Sequence, residues 1–410
     1  MISVDEALER ILAAMDERGV LGTEIVALAD AAGRILREVV TADRDMPPFT
    51  RSAMDGYALR ADDTRSAPVT LEVIEQIPAG YDPARTVGPG QASKIMTGAQ
   101  LPAGADAVQM VEKTTAADAD RVVVLATVAP GEHVRSKGEE IVRGSVLVEQ
   151  GRRLGAIDIG LLATVGRPFV KVSLRPRVSI LPTGDELVPV DVEPSGSRIR
   201  ESNGHTLAPL VKRAGGIPDL YDIARDTLAD LESKISRALT ASDIVLLSGG
   251  VSMGDYDLVG KALAASGCRP IFDRVAIQPG KPLFFGRAGS DGEVPVFGLP
   301  GNPVSTVVDF LIFVRPAIRR MMGETTWLDP VVEGRLAGPI KRRAGRQAYL
   351  PAVIGFAHGE MTLTPIHSTG SADMVAIYRA DALAIIPAQA EDLEAGVRVR
   401  ALPLPGLTEP

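Results

Sequence analysis

Residues Asp243 to Asp257, DIVLLSGGVSMGDYD, hold the densest set of groups able to handle a phosphate. The apolar run from Ile244 to Leu247 is long enough for one buried strand. Ser248, Gly249 and Gly250 follow, then Ser252, Gly254, Asp255 and Asp257. In an open α/β sheet, ligands sit in the loop that leaves a strand's carboxyl end. Glycines there let backbone N–H groups close on an oxyanion. Acids beside them can hold a hard cation that bridges phosphates. The plain alternative is a tight strand-to-helix turn with solvated acids.

Other strand ends bring matching chemistry. Asp185 and Glu186 follow one apolar run and Asp226 a second. The turn Pro300-Gly301-Asn302-Pro303 follows a third. Parallel strands deliver such groups to one edge. Gathered carboxylates repel unless protons or a divalent cation relieve them, and magnesium with a phosphorylated substrate is the simplest partner. Asp226 alone could equally cap a helix. The opposite charge comes from Lys281 in QPGKP, a loop stiffened by two prolines, with Arg274 nearby. A phosphate or another tetrahedral oxyanion suits that lysine. Four scattered histidines and a single cysteine, Cys268, exclude an ordinary His/Cys zinc site. Metal chemistry must then use oxygen ligands, or ligands brought by the substrate.

The elements that position these groups can be read in order. Ser3 and Glu6 form a capping box before the stripe Val4, Leu8, Ile11, Leu12, Met15. A short strand over Thr23 to Leu28 and a second helix near Asp30 to Val40 are expected. Met46-Pro47-Pro48-Phe49 ends that pattern. Short β-rich runs separated by turn residues follow, from Pro68 to about Val128. Gly151 to Gly166 reads as helical again, so the β-rich part is inserted into a helical domain. From Pro176, strands and helices alternate, which predicts a mostly parallel, doubly wound sheet. Asn203 is the expected cap of a helix to Ala214, and Thr227 with Asp230 begins another. Asn302 and Pro303 suit the start of a third. After Gly323, five strand-like runs predict a small β-barrel. The expected fold class is α/β plus β, in several domains. These are residues 1–45 with 139–175, 46–138, 176–325 and 326–410.

A chain of 410 residues with 45% apolar content supports more than one core. Net charge is −8 and aromatics are 4%, so a nucleic-acid backbone or stacked bases are poor partners. One cysteine permits no internal disulfide, which fits a reducing compartment. No signal-like start and no run of about 18 apolar residues appear. A cytoplasmic protein with no membrane span is the expectation.

The segments PPFTRSAMDGYA, KIMTGAQLPAGADAV, HVRSKGEEI, ILPTGDEL, SGGVSMGDYD, IQPGKP and FGLPGNPVS are together similar to those of the MoeA family, the molybdopterin molybdenumtransferases. The C-terminal domain of gephyrin is a relative. The resemblance runs in order from about residue 3 to 403. It implies a transferase of molybdenum cofactor biosynthesis that turns adenylylated molybdopterin and molybdate into the cofactor and AMP, assisted by Mg2+. It makes residues 176–325 a MogA-like domain and 1–45 with 139–175 a dimerisation domain of an elongated homodimer. By motif, the important polar positions are Asp55, Thr97, Glu140, Glu186, Asp226 and Asp257. Asp55 and Thr97 would face the α/β domain of the other subunit. Glu186, Asp226 and Asp257 would serve magnesium and the pyrophosphate. Ser248, Gly249, Gly250, Pro300 and Pro303 would shape the substrate loops. The molybdate pocket maps onto Ser252, Lys281, Pro282, Ser305, Arg346 and Ser371. A MogA-like adenylyltransferase and molybdoenzymes are the implied partners.

Three positions depart from the family pattern. Glu140 stands where the family has aspartate. Gln278 stands where some members have a second lysine. The stretch Gly345-Arg346-Gln347-Ala348-Tyr349-Leu350-Pro351 lacks an acid and an arginine common in GRxEYxR. Two alternatives stay open from sequence. One is a paralogue for tungstate or for a single molybdoenzyme. The other is a scaffold that binds the cofactor without turnover.

Overall fold

The structure is a computed structural model that describes residues 1–250, 258–289 and 293–404. Ser252, Asp255 and Asp257 lie outside the described residues. The chain forms two compact units. One comprises Met1–Arg37, Gly151–Gly155 and Phe169–Pro410, the other Glu38–Gln150 and Ala156–Pro168.

The first unit is built on a six-stranded sheet. In spatial order its strands are Ile217–Leu220, Arg177–Pro182, Ile244–Ser248, Val294–Leu299, Phe284–Ala288 and Arg269–Phe272. The first four run parallel, Phe284–Ala288 runs against them, and Arg269–Phe272 pairs antiparallel with Phe284–Ala288 and so runs with the first four. Both faces are covered, as the continuous apolar strands require. Leu181, Val245 and Leu247 pack with Leu231, Ile235, Val259 and Leu263 on one face. On the other face, Ile180, Leu246, Phe285 and Phe297 share a core with Ile11 and Met15 of the N-terminal helix Val4–Arg18. Ser3 caps that helix by accepting from the Glu6 amide at 3.1 Å, as its capping box predicts.

The helix starting at Pro303 continues to Met321 through a widened π-helical turn, Phe310–Val314. Pro316 has no N–H to give back along the helix, which accounts for the local widening. Five strands then close a barrel: Val332–Leu336, Gln347–Ala357, Glu360–Pro365, Ala382–Ile386 and Arg398–Pro403. Closure leaves no free sheet edge among them. The barrel is also stitched to the QPGKP loop, because Ile277 and Gln278 pair in parallel with Gln347 and Ala348.

The second unit holds another six-stranded sheet, in the order Ala107–Met110, Gly56–Leu59, Gln91–Ile95, Val69–Ile77, Arg121–Val124 and Thr114–Asp118. Its helix, Ala156–Thr164, is shorter than the expected 151–166.

One expected element is absent. The stretch near Asp30 to Val40 is not a helix. A short 3-10 turn, Leu28–Asp30, leads into extended backbone. There Ile35 bridges Arg153 and Leu36 bridges Val172, and Gly33 donates to the Leu154 carbonyl at 2.8 Å. Pairing with the returning chain outweighs a weak local helical tendency. Among the described residues, no helix is long and apolar enough to cross a membrane. Cys268 is buried, and burial pushes its thiol up to about 11, so it behaves as a small core residue.

Candidate functional site

Four parallel strands end on one edge and place their loops side by side. After Arg177–Pro182, the Thr183 amide donates to the Ser248 carbonyl at 2.9 Å, and Gly184 donates to Ala224 at 3.2 Å. The loops after three neighbouring strands are thereby laced together. Gly249 and Gly250 take positive φ of 92° and 67°. A β-carbon on Gly249 would strike the Thr183 carbonyl, and one on Gly250 would lie 2.7 Å from Thr183 Oγ1. Only glycine fits both the backbone angle and the space.

The acids at this edge are exposed. Asp185 and Asp226 hold each other: the Asp185 amide donates to Asp226 Oδ2 at 3.3 Å, and the Asp226 amide donates to Asp185 Oδ1 at 3.2 Å. Each keeps its second oxygen clear of this exchange. Asp226 is not a helix cap. That task falls to Thr227, which accepts from Asp230 at 3.4 Å. The Glu186 carboxylate lies against Gly184, where a β-carbon would meet Oε2 at 2.5 Å. Among the described residues no three His, Cys, Asp or Glu side chains form a ready metal cluster. Beside this edge opens a cavity of about 1060 Å3, lined by Asp185, Glu201, His205, Asp222 and Arg225 among others.

A second cavity, of about 410 Å3, adjoins the same edge. Lys281 and Pro282 come to it from the QPGKP loop, Pro300 and Asn302 from the third strand end, and Ser305 from the first turn of the following helix. Arg346 and Ser371 come from the barrel domain. Six residues expected at substrate loops or the molybdate pocket thus line one space: Lys281, Pro282, Pro300, Ser305, Arg346 and Ser371. Pro303 begins the helix beside them, and Ser252 lies outside the described residues. No ion pair engages Lys281 or Arg346 among the described residues, so their charge is available to a ligand. Gln278 lines the cavity too, where it offers an amide rather than a charge.

Three expected residues belong to the second unit. The Asp55 carboxylate accepts from the Thr97 amide at 2.7 Å and from the Thr97 hydroxyl at 2.8 Å. These bonds lower the Asp55 carboxyl below its ordinary value, the amide contributing most. Glu140 accepts from Arg51 at 3.2 Å.

Sequence reasoning missed how the loops are tied. Asn203 does not cap its helix. Ser202 holds the cap position, and the Asn203 side chain instead donates to Ser248 Oγ at 2.8 Å and to the Gly301 carbonyl at 2.9 Å. Asn302 is the cap residue of its helix but makes no capping bond. Its amide reaches Ser371 Oγ at 2.7 Å. Both asparagines are recognisable as polar helix starts, yet their partners lie 45 to 98 residues away. Asp309 was missed altogether. It is fully buried, neither carboxyl oxygen has a hydrogen-bond partner among the described residues, and burial raises its pKa well above the ordinary 3.8.

Three family models match the chain in sequence: the MoeA N-terminal region (domain I and II) at residues 2–166, a probable molybdopterin binding domain at 179–320, and the MoeA C-terminal region (domain IV) at 333–404. A molybdopterin molybdenumtransferase of Nostoc sp. is 40% identical over 93% of this chain and 89% of its own length. The chain belongs to the MoeA family. Another relative, the molybdopterin molybdenumtransferase of Bacillus subtilis, is 33% identical over 98% of this chain and 94% of its own. The crystal structure of the molybdopterin biosynthesis MoeA protein of Pyrococcus horikoshii superposes with a TM-score of 0.84 at 31% identity, covering 98% of this chain and 100% of that one. The closed barrel falls within the match to the MoeA C-terminal region, and the glycine-lined edge within the match to the probable molybdopterin binding domain.

Proposed function

We propose that this MoeA family member inserts molybdenum from molybdate into adenylylated molybdopterin, with magnesium assistance and release of AMP. One observation carries the reading: a single turn serves both half-sites. Pro300 and Asn302 line the oxyanion cavity. The Gly301 carbonyl between them accepts from Asn203, which also holds Ser248 at the start of the glycine loop. A tetrahedral dianion beside Lys281 and a diphosphate on the glycine loop would flank that turn.

Lys281 and Arg346 supply charge to the dianion, and Ser305 and Ser371 supply hydroxyls. The dithiolene sulfurs of the pterin take up the metal, so the protein needs no Cys or His ligands. Glu186, Asp226 and Asp257 would hold magnesium. The exposed oxygens of Glu186 and Asp226 suit a hard cation. When bound, it offsets charge on the diphosphate. Asp185 fixes Asp226, leaving Asp226 Oδ1 free for that task. Phosphoanhydride cleavage needs positioning and charge neutralisation more than covalent chemistry. Asp55, Thr97 and Glu140 act from the partner subunit of a homodimer. The four-part division at 1–45 with 139–175, 46–138, 176–325 and 326–410 belongs to the same reading. The family matches ending at 166 and 320 support two of its boundaries. The protein works in the cytoplasm, is supplied by a MogA-like adenylyltransferase, and serves molybdoenzymes.

The test is AMP release from adenylylated molybdopterin with magnesium and molybdate, run beside tungstate. AMP release that requires the anion is expected. Lys281→Ala should raise the molybdate KM at least about tenfold, the worth of one charge-assisted contact. Tight pterin binding without AMP release would favour a scaffold instead.

A further inference from the structure

Arg346 and Ser371 reach the cavity at Lys281 from the barrel domain, and each needs a support of its own. Ser371 is held by Asn302 and by the Val304 amide, which donates to its carbonyl at 3.0 Å. Arg346 is held differently. It stands just before the barrel strand Gln347–Ala357, after Gly345 at φ +114°. The ladder between that strand and Ala382–Ile386 ends at the pair Ala348 and Ile386. The next residue is Pro387, which has no N–H to extend it.

Arg342 takes over where the ladder stops. Its Nη1 donates to the Pro387 carbonyl at 2.7 Å, and its Nη2 donates to the Arg346 carbonyl. Main-chain bonds complete the frame. Gly345 donates to Ala388 at 2.7 Å, and Gln347 donates at 2.8 Å to Ala276, just ahead of the QPGKP loop. Among the described residues no carboxylate pairs with the Arg342 guanidinium. Asp392 instead accepts from the Arg342 amide at 2.8 Å and from Lys341 Nζ at 3.2 Å. A planar guanidinium reaches two carbonyls from one rigid group, which a lysine does less well. Burial, and after it the charge of Arg346, lowers the Arg342 pKa, so the two guanidiniums lie within electrostatic reach of each other. An anion at Arg346 offsets that repulsion.

We propose that Arg342 is a positioning residue for oxyanion binding: its fork pins the Arg346 main chain to the end of the neighbouring strand. The Arg346 side chain then meets the anion with less ordering left to do. This role rests on the reading of the Lys281 cavity as the molybdate site.

The test is a double-mutant cycle on the intact protein, with molybdate Kd and adenylylated molybdopterin Kd measured separately by calorimetry. Arg346→Gln should weaken molybdate binding roughly tenfold. Arg342→Gln should weaken it about threefold or more, and should add nothing in the Arg346→Gln background. Affinity for the pterin nucleotide should stay at the wild-type value throughout. If Arg342→Gln fails to fold by circular dichroism, Arg342→Lys, which keeps the charge but not the fork, goes through the same cycle. An equal loss in both backgrounds would overturn the role, as would wild-type molybdate affinity in the Arg342 variant or a weakened pterin nucleotide. Wild-type molybdate affinity in Arg346→Gln would fault the assignment of the cavity itself, and the clamp would fall with it.

Discussion

Asp309 lies beneath the loop that carries Lys281, a carboxyl group with no hydrogen-bond partner among the described residues. Burial favours its neutral form, because ionising it there would strand a charge in an apolar surround. A neutral acid leaves the lysine's field intact for an incoming anion. The linkage has a definite sign. The folded carboxyl titrates above its ordinary value of 3.8, so its stability contribution is full below that value. It is then lost as pH rises toward the folded pKa, at about 1.4 kcal/mol per unit for one proton. Asp309→Asn removes this term. Urea unfolding from pH 4 to 7 should show a shallower fall in stability for the variant. Parallel slopes for the two proteins would mean that Asp309 is ionised or partnered. Nothing in the sequence marks this residue, because Asp309 sits in an apolar helix where its burial depends on a loop some thirty residues away. Lys281, Ser305 and the strand-end acids were legible, because glycines, prolines and polar groups break an apolar pattern where a strand ends. Asn203 was visible only as a helix start, since its targets come from other loops.

At the scale of elements, the QPGKP loop works as a strap. Parallel pairing with the barrel strand Gln347–Ala357 fixes one end, and its Gly280 runs at φ +112° directly over Asp309. A side chain at Gly280 would collide with the Asp309 carboxyl and would also take an unfavourable backbone angle. Gly280→Ala should therefore cost about 1–3 kcal/mol of stability and weaken molybdate binding several-fold. Calorimetry with molybdate and a melting curve check this. Unchanged binding would show that the loop can shift without consequence. The parallel strands and the barrel strands were readable from periodicity and turn chemistry. The false helix near Asp30 to Val40 shows where that reading stops. Its backbone partners, near Arg153 and Val172, lie more than a hundred residues further along the chain. The helix Met374–Tyr378, capped by Asp373, is too short to leave a periodic trace.

For the molecule as a whole, the proposed function makes the turn Pro300–Pro303 the joint between two ligand sites. If filling one site fixes that turn, linkage requires each ligand to tighten the other by the same factor. Asn203→Ala cuts the tie between Ser248 and Gly301 while leaving both cavities lined. The variant should bind each ligand alone nearly as before but lose most of the mutual enhancement, measured as molybdate Kd with and without the pterin nucleotide. Equal enhancement in both proteins would place the communication elsewhere. On the proposed function, a tie of this kind would also guard the adenylate. An enzyme that aligns its diphosphate fully only after the metal oxyanion has arrived squanders little activated pterin on idle hydrolysis when molybdenum is scarce.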